Sequence, residues 1–428
     1  MFKLKDSVKM VLGATRGALL ALESGKVYSV NEIAVKVLCY DLEDELYWRS
    51  LCEASLAEEC QNQPDSTTYI LSKSTAVSAD TNKLRFIWLE VVSDGCNLRC
   101  LHCYADSGVG NKSVGESMRF EDWERVLRQA YQAGCRKCQL IGGEPFLYRD
   151  GNRNMLDLVR AAHACGYDFV EVYTNGTLMT ADAIALFSEL GTHVALSMYS
   201  SRPEIHDRVT GVDGSHAQTV RAIDMLLASG IKTRVEVVVM RTNQDTVEET
   251  IAYLRSKGVS TGNPDPLRPT GRGVSEELFP DLAVLQKYGV LMKPDFTCSE
   301  RTVRKNMAGN PCLNGKLAIT SSGVVFPCIF ARGWEVGNAR TMDIETVLQE
   351  FRLVRVWGST KDSVLVCRDC EYRYCCRDCR VLAGGSTDHN NFLSNPYPRC
   401  SYNPYTGEWG SGLWKVDGNG VPFYERFS

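Results

Sequence analysis

The sequence has no apolar run approaching the roughly 18 residues that cross a membrane. Its N-terminus lacks a basic segment followed by an apolar core, so no export signal is expected. Charge of one sign is also scarce: 48 Lys and Arg stand against 52 Asp and Glu, a net charge of −4. That balance gives no reason to expect nucleic acid or an anionic membrane as a partner. Cysteine, by contrast, is abundant, with 18 in 428 residues. Without an export signal, so many thiols argue against a disulfide framework and for metal or redox chemistry in a reducing cytosol. The chain is long enough for more than one core, so two or three domains are expected in a cytoplasmic metalloprotein.

The informative cysteines begin with Cys96-Asn97-Leu98-Arg99-Cys100-Leu101-His102-Cys103-Tyr104, directly after the strand-like run Phe86 to Val92. Three thiolates on one strand-end loop can hold three corners of a cubane iron–sulfur cluster and leave the fourth iron open. Zinc is the alternative, but structural zinc wants four ligands. His102 is the only further donor in the loop, and next to Cys103 it would coordinate under strain. The C-x3-C-x2-C spacing resembles that of the radical S-adenosylmethionine (radical SAM) superfamily. The resemblance implies that the open iron binds S-adenosylmethionine and that one electron cleaves it to a 5′-deoxyadenosyl radical, which abstracts hydrogen from a substrate.

From about residue 83 to 290, strand-like runs alternate with helical stretches, the pattern of βα units on a parallel sheet. The strands read as Phe86–Val92, Lys137–Ile141, Asp168–Tyr173, His193–Met198 and Lys232–Met240. The helices read as Phe120–Ala133, Met155–Cys165, Ala181–Leu190 and His216–Ser229. An α/β fold of this kind, a partial (β/α)6 TIM-like barrel in the family, places its chemistry at the C-terminal strand ends. Gly142-Gly143-Glu144-Pro145 follows the second strand, where two glycines allow close backbone approach and proline stiffens the exit. By resemblance this motif contacts the cofactor's amino group. Thr174-Asn175 and Ser197, at the ends of the third and fourth strands, resemble positions that bond its methionine moiety or ribose. Arg208 is a candidate for its carboxylate, and Asn243 a weaker candidate contact. The loop 262–275 is expected to border the substrate opening, with Arg268 and Arg272 as candidate contacts.

Residues 1–80 read as a hairpin region (Met10–Gly13, Ala18–Leu22, Val27–Val30), a helix Glu32–Cys39 capped by Asn31, and a second helix from Glu43 to Glu59 carrying Leu46, Leu51, Ala54 and Leu56. Gln61–Ser66 reads as a turn or linker. This order resembles the winged-helix element that captures the leader of a precursor peptide as an added strand. The alternative is a structural extension.

Cysteines return in region 291–428. Ten residues separate Cys312 from Gly323 and four more lead to Cys328. Cys367-x2-Cys370, the pair Cys375-Cys376, Cys379 and Cys400 follow. The series resembles the SPASM extension of radical SAM peptide maturases, although Cys376 to Cys379 is one residue shorter than the usual spacing. The resemblance implies two auxiliary 4Fe–4S clusters: one on Cys367, Cys370, Cys376 and Cys400, the other on Cys312, Cys328 and Cys379, with Cys298 as fourth ligand or one iron left open for substrate. Cys375 is the alternative to Cys376. Cys39, Cys52, Cys60, Cys135, Cys138, Cys165 and Cys375 are left as small buried apolar residues.

Taken together, the resemblance implies a radical SAM/SPASM enzyme with three 4Fe–4S clusters and S-adenosylmethionine. It would modify a ribosomally made precursor peptide, forming an intramolecular thioether, C–C or C–O crosslink, with a flavodoxin- or ferredoxin-type electron donor. Peptide epimerisation and side-chain oxidation of the sulfatase-maturase kind are the enzymatic alternatives. A non-catalytic electron-transfer or zinc scaffold is the alternative outside that class.

Overall fold

The structure, a computed structural model, describes residues 1–62, 65–72, 83–110, 117–384 and 393–427. It divides into two compact units: Met1–Thr81 with Val290–Asn314 and Val356–Ser428, and Asn82–Gly289 with Gly315–Arg355.

In the first unit the strands follow β1 (Phe2–Leu4), β2 (Val8–Leu12), β3 (Gly17–Ala21) and β4 (Lys26–Val30). The last three form an antiparallel sheet in chain order. Helix α1 (Glu32–Leu38) starts at Asn31, whose side chain accepts from Ala34 N at 2.9 Å. Helix α2 covers only Glu45–Glu53, shorter than expected. Ser55 takes a positive φ of 61° that ends it, and Ala57–Glu59 leaves as β5 to pair with β1. Its buried stripe is Trp48 and Leu51 rather than Leu46, which is 81% exposed. Trp48 sets that face by stacking between Phe2 and Tyr40. Of the expected turn Gln61–Ser66, Gln63 and Pro64 lie outside the described residues.

Side chains alternate across a strand, so a sheet covered on both faces needs apolar residues at every position. That is the reason β3 is buried throughout. Met10 and Leu19 face a core built with α1 and α2. Val11, Ala18 and Leu20 face a second core with Cys298, Val303, Met307, Tyr372, Tyr374, Cys375 and Tyr402. The N-terminal sheet is therefore continuous with the cysteine-rich C-terminal region within this unit. Backbone bonds reinforce the join: Ala14 N donates to Asp369 O at 2.7 Å, and the Arg373 guanidinium donates to Leu12 O at 2.6 Å.

The second unit carries the expected α/β fold. Strands β6 (Phe86–Val92), β7 (Lys137–Gly142), β8 (Phe169–Thr174), β9 (His193–Ser197), β10 (Thr233–Glu236) and β11 (Ser260–Thr261) pair in parallel and in chain order. Helices α3 (Phe120–Gln132), α4 (Met155–Ala164), α5 (Ala181–Leu190), α6 (Pro203–Thr210), α7 (Ser215–Ala228) and α8 (Val247–Ser256) fall between them. Capping fixes where these begin: Asn154 and Asp157 close a reciprocal capping box on α4.

Two features differ from the sequence reading. The run Lys232–Met240 is not one strand; after β10, Val238–Val239 turns to pair with Asp265–Pro266. The sheet also continues beyond β6 through β12 (Lys316–Ile319), parallel to it, and antiparallel β13 (Val324–Phe326) and β14 (Gly337–Asn338). This pairing satisfies the outer edge of β6 and draws 315–355 into the second unit.

Candidate functional site

The C-terminal ends of the parallel strands surround a cavity of about 500 Å³. Cys96, Cys100 and Cys103 line it together with Gly142, Gly143, Thr174, Asn175 and Ser197. Eight residues singled out in the sequence thus meet around one space, although they come from four strand ends.

The cysteine loop is shaped by its neighbours' backbone. Leu98 N points at the Cys96 sulfur and Ser107 N at the Cys103 sulfur, both at 3.4 Å. Burial pushes the Cys96 thiol up to about 11 and the Cys100 thiol up to about 12. These thiols stay protonated until a cation takes the proton's place. Among the described residues no three His, Cys, Asp or Glu side chains converge as ligands of a single ion. Cubane thiolates do not converge either, because each binds its own iron at a separate corner.

The Gly-Gly turn answers a packing demand as well as facing the cavity. A Cβ at Gly142 would run into Val92 O, and one at Gly143 into Gly95 O. The turn is also bonded to the loop's flanks, Gly143 N to Val92 O at 2.6 Å and Glu144 N to Gly95 O at 3.2 Å. Close approach here is thus first to the chain itself.

Glu144 is completely buried and does not line the cavity. Its carboxylate accepts from Phe146 N at 3.0 Å, Thr174 Oγ1 at 2.8 Å and Asn175 N at 2.9 Å. It ties the turn after β7 to the end of β8, acting through the walls of the cavity. Burial raises its carboxyl to about 7 against the opposing pull of these donors. Pro145 opens a short buried turn behind it.

Asn175 reaches the loop directly. Its amide donates to Asn97 Oδ1 at 2.9 Å and lies 3.9 Å from the Cys96 sulfur. Ser197 shares a hydrogen bond of 2.9 Å with the Tyr173 hydroxyl. Other expected contacts stand elsewhere. Arg208 is exposed on the last turn of α6, outside the cavity lining. Asn243 is buried and spent on backbone, donating to Tyr199 O and Val238 O and accepting from Met240 N.

The loop 262–275 divides between two tasks. Pro266, Leu267 and Arg268 border the cavity, as expected of this segment. Arg268 bonds Asp265 at 2.7 Å and lies 4.6 Å over the Phe330 ring. Arg272 turns instead to the cysteine loop, donating to Cys100 O at 2.9 Å, Ser107 O at 2.8 Å and Asp106 at 2.6 Å. Gly271 makes this possible, since a Cβ there would strike Cys103 O.

Several cavity residues escaped the sequence reading. Trp88, Gln139, Glu171, Tyr173 and Arg234 line its inner wall, and Arg234 pairs with Glu171 at 2.8 Å. Counting back in twos from the strand ends would have found them, because alternate residues share a face. Ile329 and Phe330, directly after Cys328, also line it. No local pattern pointed to these; β12 brings them there.

In the first unit, Cys367, Cys370, Cys376 and Cys400 lie near one another, and burial raises the Cys370, Cys376 and Cys400 thiols. Cys375 points into the apolar core shared with Val11 and Leu20. Cys298 lies in that core too, its thiol 3.4 Å from Lys26 O and 3.6 Å from Ala21 O. Cys370, Cys376 and Cys400 pack against the same core. Cys312 follows an Asn310 turn, Cys379 precedes a short helix, and Cys328 is buried in the second unit.

Residues 91–254 match the radical SAM superfamily model, and residues 312–371 match the SPASM iron–sulfur cluster-binding domain. The chain is 30% identical over 180 residues to the subtilosin biosynthesis protein AlbA of Bacillus subtilis, an alignment covering 42% of this chain and 38% of AlbA. It thus spans well under half of that relative. It is 24% identical over 347 residues to an AdoMet-dependent heme synthase of Oleidesulfovibrio alaskensis, covering 73% of this chain and 86% of that one. In fold it resembles SuiB of Streptococcus suis bound to S-adenosylmethionine, with a TM-score of 0.60 at 17% identity, over 93% of this chain and 99% of SuiB. SuiB is also known bound to the precursor peptide SuiA.

Proposed function

Since the chain belongs to the radical SAM superfamily and carries a SPASM domain, we propose that it modifies a ribosomally made precursor peptide. The observation that carries this is the cavity in which Cys96, Cys100 and Cys103 face Gly142, Gly143, Thr174, Asn175 and Ser197. The three cysteines would hold a 4Fe–4S cluster, and the strand-end residues would seat S-adenosylmethionine beside it. When bound, this pair supplies one-electron cleavage of a sulfonium and hence hydrogen abstraction from an unactivated carbon.

The chain's own residues position and enclose. Arg272 holds the loop's carbonyls where Gly271 leaves room for the approach, Glu144 fixes the distance between two strand ends, and Asn175 holds Asn97 beside Cys96. The aromatic wall of Trp88, Tyr173, Tyr199 and Phe330 keeps water from the reacting centre. In the first unit Cys367, Cys370, Cys376 and Cys400 would hold an auxiliary cluster; Cys312, Cys328 and Cys379 would be ligands of a second. Cys298, whose thiol lies against Lys26 O and Ala21 O, would complete that second set, or one iron would stay open for substrate.

A peptide substrate is supported by the bacteriocin relative and by the likeness to SuiB. The β4 edge, with exposed Ile33 on the helix that follows it, suits strand addition by a leader. Addition would begin past Lys26, which is already bridged to Thr297. The reaction is an intramolecular crosslink in a reducing cytoplasm, with a flavodoxin or ferredoxin as donor. Among the described residues no helix is long and apolar enough to cross a membrane.

Anaerobic reconstitution with dithionite and S-adenosylmethionine tests the enzyme reading by formation of 5′-deoxyadenosine. Mass spectrometry of the peptide encoded beside the gene tests the substrate: loss of two hydrogens supports a crosslink. An unchanged mass points to epimerisation. Turnover only with a porphyrin precursor would replace the peptide reading.

A further inference from the structure

We propose that Lys361, Asp378 and Arg380 form a buried cationic group that raises the reduction potential of the cluster on Cys367, Cys370, Cys376 and Cys400. The inference rests on the reading of those four cysteines as cluster ligands.

The three charged side chains are almost completely withdrawn from water, at 7%, 1% and 1% exposure. Lys361 Nζ lies 2.8 Å from Asp378 Oδ2, and the Arg380 guanidinium bonds the same oxygen. Arg380 also donates to Asn395 O at 2.7 Å. Two cations against one carboxylate leave a net charge of +1. Asp378 Oδ1 and Arg380 Nε have no hydrogen-bond partner among the described residues. The group is therefore incomplete as a self-contained ion pair, and a buried net charge needs a counter-charge nearby.

Cysteine sulfurs that could supply it as thiolates stand close by: Cys376 and Cys367 near Lys361, and Cys367 and Cys379 near Arg380. Lys361 acts in turn on Cys376 and Cys400. Among the described residues the other charges around the site do not cancel it locally. Arg373 is matched one to one by Asp362 at 3.2 Å. Glu371 faces Cys370, and burial raises its carboxyl while the Tyr402 hydroxyl bonds it.

Neutral thiols cannot balance a fixed positive charge, whereas a thiolate-ligated cluster can. Reduction adds one more negative charge beside Lys361, so the reduced cluster gains more from the group than the oxidised one. Lys361 is thus a tuning residue that stands six residues before Cys367 in the sequence and that the fold also brings near Cys376 and Cys400.

The test uses full-length reconstituted protein in which Cys96, Cys100 and Cys103 are replaced by alanine, so that only auxiliary clusters report. The signal lost on Cys376→Ala identifies the cluster; if that change leaves iron content and spectrum intact, the ligand reading and the proposal both fall. Redox titration followed by electron paramagnetic resonance then compares variants. Lys361→Met should shift the equilibrium at least about tenfold toward the oxidised cluster, about 59 mV for one electron. Asp378→Asn should shift it in the opposite direction, and Lys361→Arg should stay near the unsubstituted value. Should Lys361→Met fail to load iron, Asp378→Asn against Lys361→Arg decides. Shifts of the same sign in both charge-removing variants, or none at full iron content, overturn the proposal and leave the group a structural ion pair.

Discussion

The two cysteine sets are held in opposite ways. Around Cys96, Cys100 and Cys103 the supports are largely backbone: amides aimed at sulfurs, carbonyls held by Arg272, and glycines that let three loops touch. One side stays open to a cavity. Around Cys367, Cys370, Cys376 and Cys400 the supports are buried charges and aromatic rings, among them Tyr372, Tyr402 and Trp409. The first arrangement presents a corner to a ligand. The second surrounds its sulfurs and adjusts their electrostatics.

Removing a thiol separates the two most sharply. Cys100→Ala should abolish 5′-deoxyadenosine formation and remove about four iron per chain, leaving the auxiliary spectrum intact. Cys370→Ala should do the reverse, retaining cofactor cleavage while the modified peptide disappears from mass spectra.

Gly143→Ala comes next. Its new methyl would strike Gly95 O, and a displaced strand end should lower the cleavage rate about a hundredfold. Circular dichroism of the variant should remain near normal.

The buried carboxylate offers a pH test with a definite sign. Burial raises the Glu144 carboxyl from an ordinary 4.5 to about 7 in the folded chain. The folded state therefore binds the proton more tightly than the unfolded one. Its contribution to stability is full below about pH 4.5 and is lost as pH rises through about 7, a change of about 3 kcal/mol. Urea unfolding of apo-protein should show this slope, and Glu144→Gln should flatten it.

Arg272→Lys probes the difference in support directly. The charge stays but the fork on Cys100 O and Ser107 O is lost, so cleavage should fall about tenfold with fewer loop clusters loaded. Lys361→Arg, where charge is the requirement, should be tolerated. Smallest of all, Arg208→Ala should change the Michaelis constant for S-adenosylmethionine by less than about twofold, as expected of an exposed side chain.

Much of the catalytic unit was legible from residue patterns. The apolar run Phe86–Val92 could only be a buried strand, and the spacing of Cys96, Cys100 and Cys103 placed a metal loop at its end. Helix boundaries at Ala181–Leu190 and the capped start at Asn31 followed from local chemistry, which needs no distant partner. What escaped were contacts made across the fold. Leu46 and Trp48 lie on nearly opposite faces of one helix, and only the packing of Phe2 and Tyr40 decides which face is buried. Arg272 and Arg268 look alike in a loop, yet one braces the cysteines and the other borders the cavity.

The sequence by itself determined which thiols are candidates to hold iron and in what order they occur, because thiol chemistry and short spacings are properties of the chain. Tertiary structure decided what surrounds them. Glu144 sits behind the cavity wall, Cys298 lies in the N-terminal sheet, and Lys361 comes to rest among Cys367, Cys376 and Cys400. Burial and charge are sums over neighbours brought from far along the chain, and no local pattern contains those sums.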